Sequence, residues 1–148
     1  MKKLIKMISS CFYLGCVPYM SGTAASAAAL GLYFLFSGNG FFYTLLMIFI
    51  TILGFCVVPS AEKMFGEKDP EQIVIDEVAG MLLALWGMRL PVFLVIMGFF
   101  IFRALDALKV YPADKIEKSC GAWGIMGDDL VAGLYTNLVL QIVSRLIQ

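Results

Sequence analysis

The sequence contains no histidine. Histidine is the side chain that most often acts as a general base near neutral pH, and it is the commonest metal ligand. Its absence excludes phosphatases that use a histidine nucleophile. Any metal held by this chain must be bound through oxygen atoms, which favours a hard cation such as Mg²⁺.

Charge and reactive cysteine motifs are also scarce. Only 15% of the residues are charged and the net charge is zero, so we expect no nucleic-acid partner. No GKS or GKT phosphate loop is present. No cysteine has an arginine six residues later, as a cysteine-nucleophile phosphatase needs, and none belongs to a CxxC pair. We interpret all four as small buried or lipid-facing residues: Cys11, Cys16, Cys56 and Cys120.

Apolar side chains dominate what remains. The 148 residues are 61% hydrophobic, with a mean hydropathy of +0.89. A soluble domain of this size cannot bury so much apolar surface, so the expected solvent is a bilayer. Helices are then required, because lipid cannot satisfy open backbone groups. We predict an all-α, polytopic membrane bundle that forms a single domain over residues 1–148.

The apolar residues fall into separate runs that are typical of membrane helices. Asp76 and Glu77 shorten the uncharged part of the third run, so the prediction is about five membrane helices, or four plus a re-entrant segment. The prolines lie at or outside the ends of the runs, where helices tolerate them. The runs are Tyr19–Phe36, Phe41–Val58, Ile73–Met88, Pro91–Val110 and Leu130–Ile147.

Charged residues are concentrated on one side of this predicted bundle. We expect an uncleaved, cytoplasmic N-terminus, because Lys2, Lys3 and Lys6 precede the first run. Five crossings then place the loops 61–75 and 109–127 in the cytoplasm. All eleven acidic residues and nine of the eleven basic residues lie on that side, Arg89 and Arg145 being the exceptions. The pattern predicts a multi-pass protein of the bacterial inner membrane with its polar chemistry at the cytoplasmic face.

Three charged clusters lie at the predicted cytoplasmic helix ends. Two are acidic pairs, each followed four residues later by a glycine that allows close helix approach. In the third, an arginine and an aspartate three residues apart share a helix face. Converging helices would bring several carboxylates around one cation, although acids at helix N-termini also simply favour the helix dipole. The clusters are Asp76–Glu77, Arg103 with Asp106 and Lys109, and Asp128–Asp129; the glycines are Gly80 and Gly133.

Two glycine-containing turns precede predicted helices and could hold an anion. Ser21, Gly22 and Thr23 offer backbone N–H groups and hydroxyls for phosphate, or they serve only as a helix cap. Gly121–Gly127 is predicted to be a second turn of this kind, leading directly to the two aspartates.

The sequence resembles the phosphatidylglycerophosphatase A family at these same residues, in order, from roughly Gly15 to Gly133. Ser21 and Ala25 depart from the family, which usually has proline and glycine there. The matching groups are Gly15, Pro18, Gly22 and Thr23; Ile73, Asp76, Glu77, Gly80 and Met81; Phe102, Arg103, Asp106, Lys109 and Pro112; and Gly124, Ile125, Met126, Asp128, Asp129, Val131, Ala132 and Gly133.

The resemblance implies Mg²⁺-dependent hydrolysis of phosphatidylglycerophosphate to phosphatidylglycerol and inorganic phosphate. Arg103 and Lys109 would bind phosphate with the Ser21–Thr23 turn, and a carboxylate would act as general base or as nucleophile. Asp76, Glu77, Asp128 and Asp129 would ligate the metal, with Asp106 also in the catalytic set. Other readings stay open: a small transporter or ion-conducting subunit, a membrane scaffold, and a phosphatase for another lipid phosphate.

Overall fold

The computed structural model describes residues 2–18, 20–67, 70–119 and 121–147. These residues form an all-helical bundle and include no strand. A short 3₁₀ turn at Leu14–Cys16 follows α1. The helices are α1 (Lys2–Ser9), α2 (Ser21–Phe36), α3 (Gly40–Phe65), α4 (Ile75–Ala84), α5 (Val92–Leu108), α6 (Ala113–Ile116) and α7 (Ala122–Ile147).

Helices α3 and α7 are each 26 residues long and apolar enough to cross a membrane, judged by length and composition. The start of α3 is fixed by Asn39, whose side-chain oxygen accepts hydrogen bonds from the N–H groups of Phe41 and Phe42. Large apolar side chains on the outer face of α3 are exposed; Phe49, for example, is 62% exposed. The described chain thus carries an apolar outer surface that suits lipid contact.

Helix α4 is the centre of the bundle and packs against α2, α3 and α7. All of its ten residues except Glu77 and Leu83 are buried. Met81, Leu82 and Leu85 are completely buried and join Val95 of α5 in the main apolar core. A helix buried on nearly every side can carry charge only where a polar cavity reaches it.

The bundle has two distinct ends. At one end, α2, α4 and α7 begin while α3 and α5 finish. We call it the site end, because the charged clusters predicted from the sequence lie there. At the far end, the α2–α3 turn lies beside the segment that follows α4. Arg89 donates a hydrogen bond to the carbonyl of Gly38 there, and the indole N–H of Trp86 donates one to Thr44.

The third apolar run therefore reaches from one end of the bundle to the other, although its helix is short. Ten residues of α helix rise only about 15 Å, and the remaining distance is covered by the non-helical residues before Val92.

Two local predictions are wrong. Pro59 lies inside α3, which continues to Phe65. Proline removes one hydrogen-bond donor and crowds the preceding turn, but a helix held by its neighbours tolerates this. The stretch Gly121–Gly127 is also not a loop, because α7 begins at Ala122. Asp128 and Asp129 thus lie well within the helix, so a role at its N-terminus does not explain them.

Three of the cysteines are free thiols in the described chain. Cys11 is half-buried, and Cys16 and Cys56 are exposed. The prediction for Cys120 falls outside the described residues.

Candidate active site

Two glycines bring α4 and α7 into backbone contact. A Cβ on Gly133 would collide with the carbonyl oxygen of Gly80. A Cβ on Gly80 would lie 2.6 Å from the backbone oxygen of Asp129. This confirms the predicted close approach, which small residues permit between membrane helices. The contact places the first turn of α4 beside the second turn of α7.

Three carboxylates meet at this contact. Asp76 and Glu77 of α4 and Asp129 of α7 each offer an oxygen, and these oxygens lie within 4.8 Å of one another. Asp129 is only 3% exposed. Glu77 Oε2 is buried and accepts no hydrogen bond from the described residues. We call these three residues the acid triad.

Helices α2 and α5 approach the acid triad from another side. A Cβ on Gly22 would collide with Glu77 Oε1 and would lie 3.2 Å from Arg103 Nη1. Arg103 Nη1 donates to Asp106 Oδ2 at 2.6 Å, which confirms the shared helix face expected from their spacing. The absence of a side chain at Gly22 therefore lets the start of α2 reach both the acid triad and the arginine.

The first turn of α2 is well placed to offer donors. Its N-cap is Met20, which makes no side-chain hydrogen bond to the helix. Ser21, Gly22 and Thr23 therefore occupy the first turn itself, where backbone N–H groups have no partner within the helix. All three residues line the same cavity as the acid triad.

Lys109 connects α5 to the segment before α7. It ends α5 in a left-handed conformation, with φ of 45°. Its Nζ lies 2.6 Å from Glu117 Oε1 and 3.2 Å from Asp128 Oδ2. Burial alone would lower the pKa of Lys109, but these two carboxylates raise it above its ordinary value. Lys109 is therefore a stable cation at the edge of the site.

One cavity of about 680 Å³ at the site end contains all of these groups. All ten residues that the sequence assigned a catalytic, metal-binding or phosphate-binding role line it: Ser21, Gly22, Thr23, Asp76, Glu77, Arg103, Asp106, Lys109, Asp128 and Asp129. Of the second predicted anion-binding turn, Gly121–Gly127, only Ile125 does. The structure separates the ten residues into subsets, however. Asp128 was predicted as a metal ligand with its neighbour, but it faces Lys109 and does not belong to the acid triad.

The donor set fits a hard divalent cation. Carboxylate oxygens are the ligands that Mg²⁺ prefers, and the acid triad supplies three from two rigid helices. The cavity is also lined by six acidic residues, including Glu71, against two basic ones. An anionic phosphate would be repelled by this excess of negative charge unless a cation offsets it.

Related sequences are known for almost the whole chain. The sequence model of the phosphatidylglycerophosphatase A family matches residues 7–144, which include every residue that lines the cavity. The chain belongs to this family. Phosphatidylglycerophosphatase A of Escherichia coli K12 is 34% identical to it over 142 residues, which cover 90% of this chain and 80% of that protein.

A second relative carries a different name. A protein of Bacteroides thetaiotaomicron, provisionally named a phosphatidylinositol-3-phosphatase, is 31% identical over 150 residues, covering 95% of this chain and 94% of its own length. No solved structure matches the chain significantly.

Three residues were missed by the sequence reasoning. Glu117 shares Lys109 with Asp128, and Glu71 lines the cavity from the segment before α4. Asn137 of α7 lies toward the far end, where its Nδ2 is within 3.2 Å of the carbonyl oxygens of Leu83, Ala84 and Trp86. A polar residue two turns after Asp129 in an apolar helix was the available signal for Asn137.

Proposed function

We propose that this member of the phosphatidylglycerophosphatase A family hydrolyses the phosphate monoester of phosphatidylglycerophosphate. The products would be phosphatidylglycerol and inorganic phosphate, and the reaction would depend on Mg²⁺. The observation that carries the proposal is the cavity in which carboxylates, two basic side chains and the N-terminus of α2 converge. The name of the Escherichia coli relative supports this substrate.

The residues divide into a metal-binding group and a phosphate-binding group. Asp76, Glu77 and Asp129 would hold Mg²⁺, because their oxygens already lie together. When bound, the cation would neutralise phosphate charge and lower the pKa of a water molecule. Arg103 would present its planar guanidinium to the phosphoryl oxygens, with Lys109 as a second positive charge.

The remaining groups orient these charges and complete the reaction. Asp106 holds Arg103, and Asp128 holds Lys109. The first-turn N–H groups of α2 would donate hydrogen bonds to the phosphate. A carboxylate of the cavity would either take the proton of an attacking water or attack phosphorus itself.

We further propose that five segments cross the inner membrane and that the site end faces the cytoplasm. The apolar outer surface and the grouping of charges at one end support this arrangement. Cysteines replacing Glu67, Lys118 and Asn39, in a background whose native cysteines are serine, test it. The first two should react with an impermeant thiol reagent only from the cytoplasmic side, and the third only from outside. Any other pattern contradicts the proposed topology.

A different lipid phosphate is the second candidate, because the name of the Bacteroides relative points to a phosphoinositide. A transport function has less support. The space between the two ends is filled by completely buried apolar side chains such as Met81, Leu82 and Val95, where a polar path would have to run.

Phosphate release by the purified, folded protein in detergent micelles tests the function. Phosphatidylglycerophosphate is compared with phosphatidylinositol 3-phosphate and phosphatidic acid, with Mg²⁺ and with chelator. We expect release from the first lipid, loss of activity with chelator, and recovery when Mg²⁺ is restored. Preferential release from phosphatidylinositol 3-phosphate would assign the second function, and no release from any lipid would refute an enzymatic role.

A further inference from the structure

A second cavity, of about 490 Å³, lies between α2 and α3. Ile75 and Val78 of α4 form its back wall, while Met7 of α1 and Cys11 in the following turn close it at the site end. None of the described residues that line it is charged. No residue to which we assigned a role in the hydrolysis lines this cavity, which we call the lateral cleft.

The lateral cleft runs along the axis of the bundle. On the α2 side, Ala28 and Leu32 stand one turn apart. Phe12 and Phe49 are largely exposed at its edge, so the cleft opens sideways toward the surroundings of the bundle. Four α3 residues with helical i, i+3, i+4, i+7 spacing extend its wall over about 10 Å: Leu46, Phe49, Ile50 and Leu53. An acyl chain lying along the membrane normal has this direction and this chemistry.

The lateral cleft begins beside the acid triad. Ile75 and Val78 flank Asp76 and Glu77 in the first turn of α4, so adjacent faces of one turn serve the two cavities.

Helix α1 adds charge complementary to an anionic lipid. Its residues Met7 and Ile8 line the lateral cleft. The same helix carries Lys2, Lys3 and Lys6, and none of these pairs with an acidic side chain in the described part of the chain. Basic amphipathic helices of this kind attract lipid phosphates at a membrane surface.

We propose that the lateral cleft holds one acyl chain of the phospholipid substrate while the terminal phosphate of that lipid occupies the site-end cavity. The inference rests on the proposed function and adds that the enzyme also binds the apolar part of its substrate. In a bilayer the chain is already surrounded by hydrocarbon, so the cleft gains little from burial alone. Its effect is to fix the position of the headgroup, which strongly influences rate.

Filling the lateral cleft tests the proposal. Ala28→Leu adds a side chain inside the cleft, and Ala27→Leu adds the same side chain at the neighbouring exposed position. Phosphate release is measured from dioleoyl and dihexanoyl phosphatidylglycerophosphate in the same micelles. We expect Ala28→Leu to lower kcat/KM for the dioleoyl lipid by about tenfold, with little change for the dihexanoyl lipid, while Ala27→Leu leaves both near wild type.

Equal losses on both lipids, or no loss on either, would overturn the proposal while leaving the proposed function standing. A binding measurement on the wild-type protein tests the acyl-chain site independently of the proposed function. A phospholipid with a photoactivatable acyl chain is crosslinked in the presence of chelator, and the labelled peptides are mapped by mass spectrometry. Label on α1–α2 and the middle of α3, displaced by dioleoyl but not by dihexanoyl phosphatidylglycerophosphate, supports the cleft; label elsewhere refutes it.

Discussion

The two ends of the bundle satisfy their polar groups in different ways. At the far end, side chains close the structure by bonding to backbone carbonyls: Tyr43 donates to Leu82 at 2.7 Å, and Tyr33 donates to Met88 at 3.2 Å. At the site end, charged side chains face one another and an open cavity.

The difference separates stability from chemistry. Neutral hydrogen bonds that saturate the carbonyls at the end of α4 need no ligand and fix its position. The crowded carboxylates at its start repel one another and are favourable only with a partner of opposite charge. One short helix therefore carries a structural end and an end to which we assign the proposed chemistry, and substitutions should affect these ends differently.

Replacing a member of the acid triad should have the largest effect. Asp129→Asn keeps the shape of the side chain but removes a charged oxygen donor, so we expect kcat/KM to fall by at least about a hundredfold. The apparent affinity for Mg²⁺, measured by titration of activity or binding, should fall with it. Glu67→Gln changes an exposed carboxylate two residues beyond the end of α3. It is the matched control and should stay within about twofold. Full activity in Asp129→Asn would contradict the metal assignment.

Separating α4 from α7 should have the next largest effect. In Gly133→Ala the new methyl group meets the backbone of Gly80, so the helices must move apart. We expect a stability loss of about 1–3 kcal/mol and an activity loss of about tenfold or more, measured by thermal unfolding and phosphate release. Gly31→Ala in α2 adds the same methyl group where no other part of the described structure lies within 4 Å, apart from the adjacent residues and the backbone of its own helix. Its activity should be unchanged, and its stability unchanged or slightly higher. Equal behaviour of the two variants would show that the glycine contact is not needed.

Neutralising Lys109 should have a moderate effect. Lys109→Met removes the positive charge shared by Glu117 and Asp128, so the cavity becomes more negative. We expect a fall of about tenfold in kcat/KM for the phosphate lipid. Lys115→Met, which removes a lysine that lies over the ring of Tyr111, should change activity little. A larger loss in the control would show that the positive charge needed for activity lies outside the cavity.

The smallest catalytic effect is expected at the far end. Asn137→Leu leaves the last carbonyls of α4 without their donor, which should cost about 1 kcal/mol of stability. The melting temperature should drop while kcat/KM of the folded enzyme stays within about threefold. Gln141→Leu, which removes only the hydrogen bond to Asn137 Oδ1, is the milder comparison. A selective loss of turnover in Asn137→Leu would break the distinction between the two ends.

Much of the candidate site could be predicted because its signals are local. The acid pairs, the i, i+3 spacing of Arg103 and Asp106, and the glycines after each pair follow from helical geometry. The helical class and the apolar runs follow equally from hydropathy, whereas the number of crossings stays a prediction. The metal and phosphate roles of the individual residues also stay predictions.

The features that were missed depend on contacts between distant segments. Adjacent helix positions point about 100° apart, so Asp128 and Asp129 diverge, and Asp128 turns to Lys109 because the α5–α6 connection lies on that side. Glu117, the residue directly after α6, forms an ion pair with the same lysine. The lateral cleft depends on how far apart α2 and α3 pack, which no sequence period encodes. Pro59 lies within α3 because tertiary packing outweighs the local preference against it.

The unequal lengths of α2 and α3 determine how deep in the membrane the cavity would lie. The turn 37–39 joins the end of α2 to the start of α3. From this turn, α2 extends only about 24 Å to Ser21 at the cavity, whereas the 26 residues of α3 extend about 39 Å. The hydrocarbon layer of a bilayer is about 30 Å thick. In the proposed membrane arrangement the cavity floor lies below the headgroup plane, and the scissile phosphate has to sink toward it. Turnover should consequently respond to hydrophobic mismatch, rising in thinner bilayers and falling in thicker ones.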